Sequence, residues 1–196
     1  MSKLLNVSSS PHVRCGVSTK NLMYDVAIAM LPATIWGVMQ FGIYSLIVVV
    51  ATVLSCVLSE YLFETLMHKP VTISDGSALV TGMILGLNMP PAIPLWMPIL
   101  GGVFAIIVVK QLYGGLGQNW MNPALAARCF MLISFAQAMT KFTDPVTDAV
   151  ASATPLAAIK AGDTYDLAAM FIGKIPGTIG EVSVIALLIG AAYLLV

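Results

Sequence analysis

Apolar residues run almost unbroken along this chain, and the few charged ones fall into clusters that divide it into segments. The first run, Asn21 to Phe41, carries a single charge, Asp25, near its start. It also holds Pro32, a defect that spanning helices tolerate when neighbours satisfy the freed carbonyl. Gly42 and Ile43 make a tight turn, and a second run extends from Tyr44 to Ser59. Glu60, Glu64, His68 and Lys69 gather where that run is expected to re-emerge. A spanning helix needs about 20 apolar residues, and both runs come close.

The third segment, Val71 to Met89, is studded with glycines and small hydroxyls, then broken by Pro90, Pro91 and Pro94. Only Ser77 to Met89 reads as uninterrupted helix, too short to cross roughly 30 Å of hydrocarbon unaided. Irregular backbone at that depth survives only when buried in protein or lining a polar cavity. Close-packing glycines of ordinary helix contacts are the plainer alternative. A fourth run, Leu95 to Val109, ends at Lys110, and a fifth covers Ala124 to about Met139 with Arg128 one turn inside. An arginine there should point into the bundle, reach the interface or meet an anion. Thr140 to Glu181 is the one long polar interval, with a short apolar piece, Leu167 to Ile172, expected on the surface. A sixth run starts at Val182 and stops at Val196, so the chain is expected to be a fragment.

Composition turns these runs into membrane spans. The chain is 59% hydrophobic and 9% charged, with a mean hydropathy of +0.94, whereas soluble domains carry about 25% charged residues. The expected fold is an all-α integral membrane protein, a multi-span helical bundle with broken or half helices. Its parts are a cytosolic tail (1–20), a transmembrane helical domain (21–139), an extracytoplasmic loop (140–181) and the start of a further span (182–196). Nine basic and nine acidic residues cancel, so membrane lipid is an expected partner and nucleic acid is not. Cys15, Cys56 and Cys129 are widely separated, which argues against a disulfide or a self-contained metal site. The first twenty residues hold Lys3, Arg14 and Lys20 and no acid, which the positive-inside rule keeps in the cytosol. If the third segment crosses, Lys69 and Lys110 join them inside and Thr154 lies outside. A re-entrant third segment would reverse everything after it, and the charge bias favours crossing.

Candidate chemistry sits in three places. In Asp148-Ala-Val-Ala-Ser-Ala-Thr-Pro155 the hydroxyls of Ser152 and Thr154 suit a turn or a helix cap as well as chemistry. Gly114, Gly115 and Gly117 permit positive φ and close backbone approach, and are followed by Asn119 and by Asn122 just before Pro123. Local signals alone make Asn122 a helix cap. Asp25, Ser74, Asp75 and Thr81 are candidates to line an ion path through the broken third segment, or simply to cap helices and face the interface.

Ordered motifs add a resemblance. Ser10-Pro11-His12, Ser74 to Gly82, Gly114-Gly115-Leu116-Gly117 with Asn119 and Asn122-Pro123-Ala124, and Ser152 to Leu156 resemble the D subunits of Rnf complexes. The related B subunit of the sodium-pumping NADH:quinone oxidoreductase shares most of them but has a longer amino-terminal extension. The resemblance implies a bacterial cytoplasmic-membrane component of an ion-translocating ferredoxin:NAD⁺ oxidoreductase. It further implies a fold akin to urea transporters, of which this chain would be the first half of an inverted repeat. In the family's flavinylation motif a threonine carries FMN through a phosphoester. Thr154 takes that place, with Asp148, Ser152 and Ala153 completing the motif, although Ala151 stands where a serine or threonine is more usual. A second, non-covalent flavin, riboflavin or a relative, is implied near Asn119 and Asn122 with Gly115 and Gly117. Partner subunits would supply iron–sulfur clusters and a second covalent FMN. Whether Na⁺ or H⁺ is pumped stays open. The competing expectation is a passive solute channel or transporter, because broken helices and inverted repeats also build solute pathways.

Overall fold

The computed structural model describes residues 18–143, 150–151, 159–160 and 167–195. Helix α1, Thr19–Phe41, opens on Ser18, whose Oγ accepts the Asn21 N–H, and runs through Pro32. Gly42, at φ 82°, ends α1 and begins α2, Ile43–Leu66. That positive φ is what the turn demands of a glycine, since a side chain there would meet nothing. The two helices therefore form an antiparallel pair joined by one residue.

Helix α3, Ser77–Leu87, packs along α2. A Cβ on Gly82 would stand 2.6 Å from the Val53 Cα, and one on Gly86 3.0 Å from the Val49 Cα. The glycines are thus a close-packing seam that brings two backbones together. They also belong to a broken segment, because the chain leaves the helix at Asn88 and continues irregularly past Pro90, Pro91 and Pro94. Ser77 lies beside Glu60 near one end of α2, whereas the Ile93 carbonyl accepts from the Tyr44 hydroxyl at the other. The third segment therefore traverses the length of α2 rather than turning back.

Helix α4, Trp96–Tyr113, is long enough to span, at about 27 Å for 1.5 Å per residue. It changes geometry along its course: α-helical over Trp96–Val103, π-helical over Phe104–Lys110 and 3₁₀ over Gln111–Tyr113. Helix α5, Pro123–Ser134, returns antiparallel to it. Phe104 stacks on Phe130 with centroids 4.3 Å apart, and Trp96 meets Phe135 edge-on at 5.2 Å. A break at Phe135 separates α5 from the short α6, Ala136–Met139.

Beyond α6, β1 (Phe142–Thr143) pairs antiparallel with β2 (Val150–Ala151). The apolar piece Leu167–Ile172 is helical (α7), with Phe171 and Ile172 exposed. The loop expected to last until Glu181 rejoins the bundle earlier, since Pro176, Gly177, Thr178 and Ile179 are buried. There the Ile179 N–H donates to the Met89 carbonyl (3.1 Å) and the Gly180 N–H to the Leu87 carbonyl (2.8 Å). These bonds satisfy backbone that the break in α3 leaves open. Helix α8, Val184–Leu195, then runs down α1. Leu85, Met89, Ile93, Ile106, Met131 and Ile179 fill the centre, while α1, α2 and α8 turn large apolar side chains outward. Together with the apolar lengths of α1, α2 and α4, that outward face makes this a multi-span helical membrane protein.

Candidate functional site

Glu60, Glu64 and Lys110, expected where spans end, do lie within the last two turns of α2 and α4, but they are not exposed there. Helix α2 continues to Leu66, and Glu60, Glu64 and Lys110 are all buried. Lys110 Nζ donates to Glu60 Oε1 and to Ser77 Oγ, each at 2.5 Å. Gln111 Nε2 donates to Glu60 Oε1 (2.7 Å) and Glu64 Oε1 (3.2 Å). Thr72 gives its N–H and its hydroxyl to Glu64, at 3.0 and 2.5 Å. The Ser77 hydroxyl donates to Asp75 Oδ1 at 2.6 Å. Burial of a charge is tolerable only with this sort of pairing. Glu60 Oε2 has no partner among the described residues. Lys110 closes the π-helical turn and Gln111 follows it, and both side chains reach Glu60 on α2.

The residues singled out for an ion path divide. Asp75 joins this network through Ser77, while Ser74 next to it is exposed. Thr81 is buried but returns its hydroxyl to the Ser77 carbonyl at 2.8 Å. Asp25 is exposed on α1 and accepts from the Tyr193 hydroxyl at 3.4 Å. The structure does not bring the four together.

A second polar junction holds the broken end of α3. Arg128 NH1 donates to Asn88 Oδ1 and to Glu181 Oε1, the latter at 3.1 Å. Of the three outcomes open to an arginine inside a span, Arg128 has met an anion.

Between α4 and α5 lies a cavity of about 380 Å³ lined by Phe104, Val108, Val109, Tyr113, Trp120, Asn122 and Cys129 among others. That volume is in the range of small-molecule sites. Tyr113 and Trp120 both line it, with ring centroids 6.1 Å apart. Asn122 does cap α5, its Oδ1 accepting from the Ala124 and Leu125 N–H groups. Asn119, three residues earlier, has a buried Oδ1 without a partner among the described residues. Asn122 borders the cavity, whereas Asn119 is not among the residues that line it. Gly115 and Gly117 hold φ of 97° and 85° in the loop that leads to these asparagines. The Tyr113 and Trp120 rings and the Asn122 amide on an otherwise apolar lining suit a flat aromatic heterocycle.

Thr154, Asp148, Ser152 and Ala153 lie outside the described residues. Sequence reasoning missed the Glu60–Lys110 pair and the cavity residues Tyr113, Trp120 and Cys129. The pair carried a faint signal, an acid and a base each placed where a long apolar run ends.

The NQR2, RnfD, RnfE family matches residues 6–196. The chain is 47% identical over 197 residues to the D subunit of the Na(+)-translocating ferredoxin:NAD(+) oxidoreductase complex of Acetobacterium woodii, covering 97% of this chain and 62% of that protein. It is 40% identical over 206 residues to the D subunit of the proton-translocating ferredoxin:NAD(+) oxidoreductase complex of Clostridium ljungdahlii, covering 98% and 62%. With the D subunit of the ion-translocating oxidoreductase complex of Rhodobacter capsulatus it shares 31% identity over 223 residues, covering 96% and 62%. The chain therefore spans 62% of the length of these relatives.

Proposed function

The chain belongs to the NQR2, RnfD, RnfE family, and from that premise we propose that it is flavin-carrying membrane machinery of a redox-driven ion pump. In this reading it works in a bacterial cytoplasmic membrane, within a complex that moves electrons between ferredoxin and NAD⁺ and exports Na⁺ or H⁺. The observation that carries the reading is the match, along nearly the whole chain, to relatives named as the D subunit of such complexes. Relatives named for sodium and for protons match at similar identity, so the reading commits to neither ion.

Two flavins are proposed. FMN is esterified to the Thr154 hydroxyl, with Asp148, Ser152 and Ala153 as the recognition motif of the attaching enzyme. A non-covalent riboflavin or related flavin occupies the cavity beside Asn122, with Asn119, Gly115 and Gly117 shaping its approach. Bound flavin supplies one- and two-electron chemistry, while the protein sets its position and surroundings. Tyr113 and Trp120 offer stacking faces and the Asn122 amide a donor. Phe104, Val108 and Val109 give the cavity an apolar inner wall that keeps water from the ring. Partner subunits would bring the iron–sulfur clusters and a second FMN.

The test is denaturing electrophoresis of the full-length protein made together with a flavin transferase. The band should fluoresce and its mass should rise by one FMN, and Thr154→Ala should remove both signals. Wild-type protein without the added mass, under conditions that load a control flavoprotein, would leave a passive pore as the better reading.

A further inference from the structure

The cavity and the buried ion pair lie on different faces of α4, yet one element builds both. The π-helical turn Phe104–Lys110 contributes Phe104, Val108 and Val109 to the cavity wall. Its opposite side carries Ala105 and Ile106, both fully buried, with Ile106 packed on Cys56 and Ala78. Its last residue, Lys110, holds Glu60 and Ser77. A π-helix is rare and contains one residue more per stretch than the α-helix it interrupts. Returning it to α-geometry turns everything on one side by one residue, roughly 100° at 3.6 residues per turn. Lys110 could not then stay on Glu60. The wide turn is therefore held on one side by the buried ion pair, while its other side lines the cavity.

We propose that Phe104–Lys110 is a two-state coupling element, through which occupancy of the α4–α5 cavity by a flat aromatic ligand strengthens the Lys110–Glu60 pair. A ring lodged against Phe104 and Val108 favours the wide π-turn, and the wide turn keeps Lys110 on Glu60. With the cavity empty, the turn relaxes more often and the seam between α2 and α4 loosens. The two sites need no direct contact, because both bias one element. The proposal rests on the cavity being the flavin site.

Two native thiols report on the two ends. Cys129 lines the cavity and is exposed, whereas Cys56 is buried on α2, its thiol directed at the Gly102 carbonyl of α4 (3.9 Å). The experiment uses the full-length protein in its complex, stripped of non-covalent flavin, with alkylation of each cysteine followed by peptide mass mapping. Riboflavin is the added probe. Occupancy should protect Cys129 and, across the helix, slow alkylation of Cys56 at least about fivefold, the lower end of ordinary coupling between sites. Protection of Cys129 with an unchanged Cys56 rate would overturn the coupling and leave the flavin site standing. Failure of riboflavin to protect Cys129 would overturn the cavity assignment, and the coupling with it.

Discussion

Asn122 caps a helix and is proposed to hold a flavin, and a substitution can pull the two roles apart. Its Oδ1 caps α5, and its amide N–H₂ is the donor that the proposed flavin would use. Asn122→Asp keeps the capping oxygen and adds a negative charge at a helix N-terminus, where it is favourable. It should melt within error of wild type yet lose most of its non-covalent flavin, measured as riboflavin released by acid precipitation. Asn122→Ala should lose the flavin and also about 0.5–2 kcal/mol of stability. An Asp variant that retains its full riboflavin would remove Asn122 from the site. Lys110 offers a sharper energetic test. Lys110→Met strands the Glu60 carboxylate in the interior, and breaking such a pair costs about 3–5 kcal/mol. Glu60→Gln combined with Lys110→Met should recover most of that loss, because a neutral pair leaves no buried charge behind. Equal thermal stability of the single and double variants would mean that the two charges are not energetically linked. The asparagine's cap was legible from Asn-Pro at the start of an apolar run. The ion pair was not, since Glu60 and Lys110 are far apart in sequence and only the fold brings them within reach.

At the level of elements, the seam between α2 and α3 sets how closely two backbones run. Gly82→Ala places a methyl 2.6 Å from the Val53 Cα, a backbone atom that cannot rotate away. Overpacking of this kind costs about 1–3 kcal/mol, so the melting temperature should fall. The same change at Gly115, where nothing lies within 4 Å of the added carbon, brings strain from its positive φ but no clash. An unchanged melting temperature for Gly82→Ala would show that α3 can slide off α2 freely. The sequence made α3 legible as a short helix ending in a break, because Gly, small hydroxyls and Pro90-Pro91 each act on the local backbone. It could not show what closes the break. The carbonyls of Leu87 and Met89 are met by Gly180 and Ile179, from a stretch whose composition reads as loop. Nor does any periodicity announce the π-helical turn in α4, whose apolar residues suit an ordinary helix equally well. Burial of Pro176 to Ile179 and the widened turn are both tertiary outcomes.

The whole bundle has two unlike ends, and the difference bears on where an attached cofactor would sit. The start of α1 lies against Gly76, within 3.4 Å of Met23 and Tyr24 for an added Cβ. Lys20, Lys69 and Lys110 therefore share the end that holds the Glu60 network. The opposite end is marked by Trp96 against Phe135 and by Tyr44 on Ile93. The chain leaves the bundle at that opposite end, after Met139, and packs into it again by Pro176. The interval that contains Thr154 is thus bounded by elements at the end opposite Lys20, Lys69 and Lys110, and it holds Lys141, Lys160 and Lys174 itself. The positive-inside rule weights short loops most, so the expectation to test is that the end with Lys20 and Lys69 faces the cytosol and the long interval with Thr154 lies outside. A cysteine introduced at Ala158 in otherwise cysteine-free protein should react with a membrane-impermeant maleimide added to intact cells. One introduced at His68, exposed at the lysine end, should react only after the membrane is opened. The reverse pattern would place both the basic residues and the proposed flavin attachment on the wrong sides, and an electron route through an outer-face FMN would have to be abandoned.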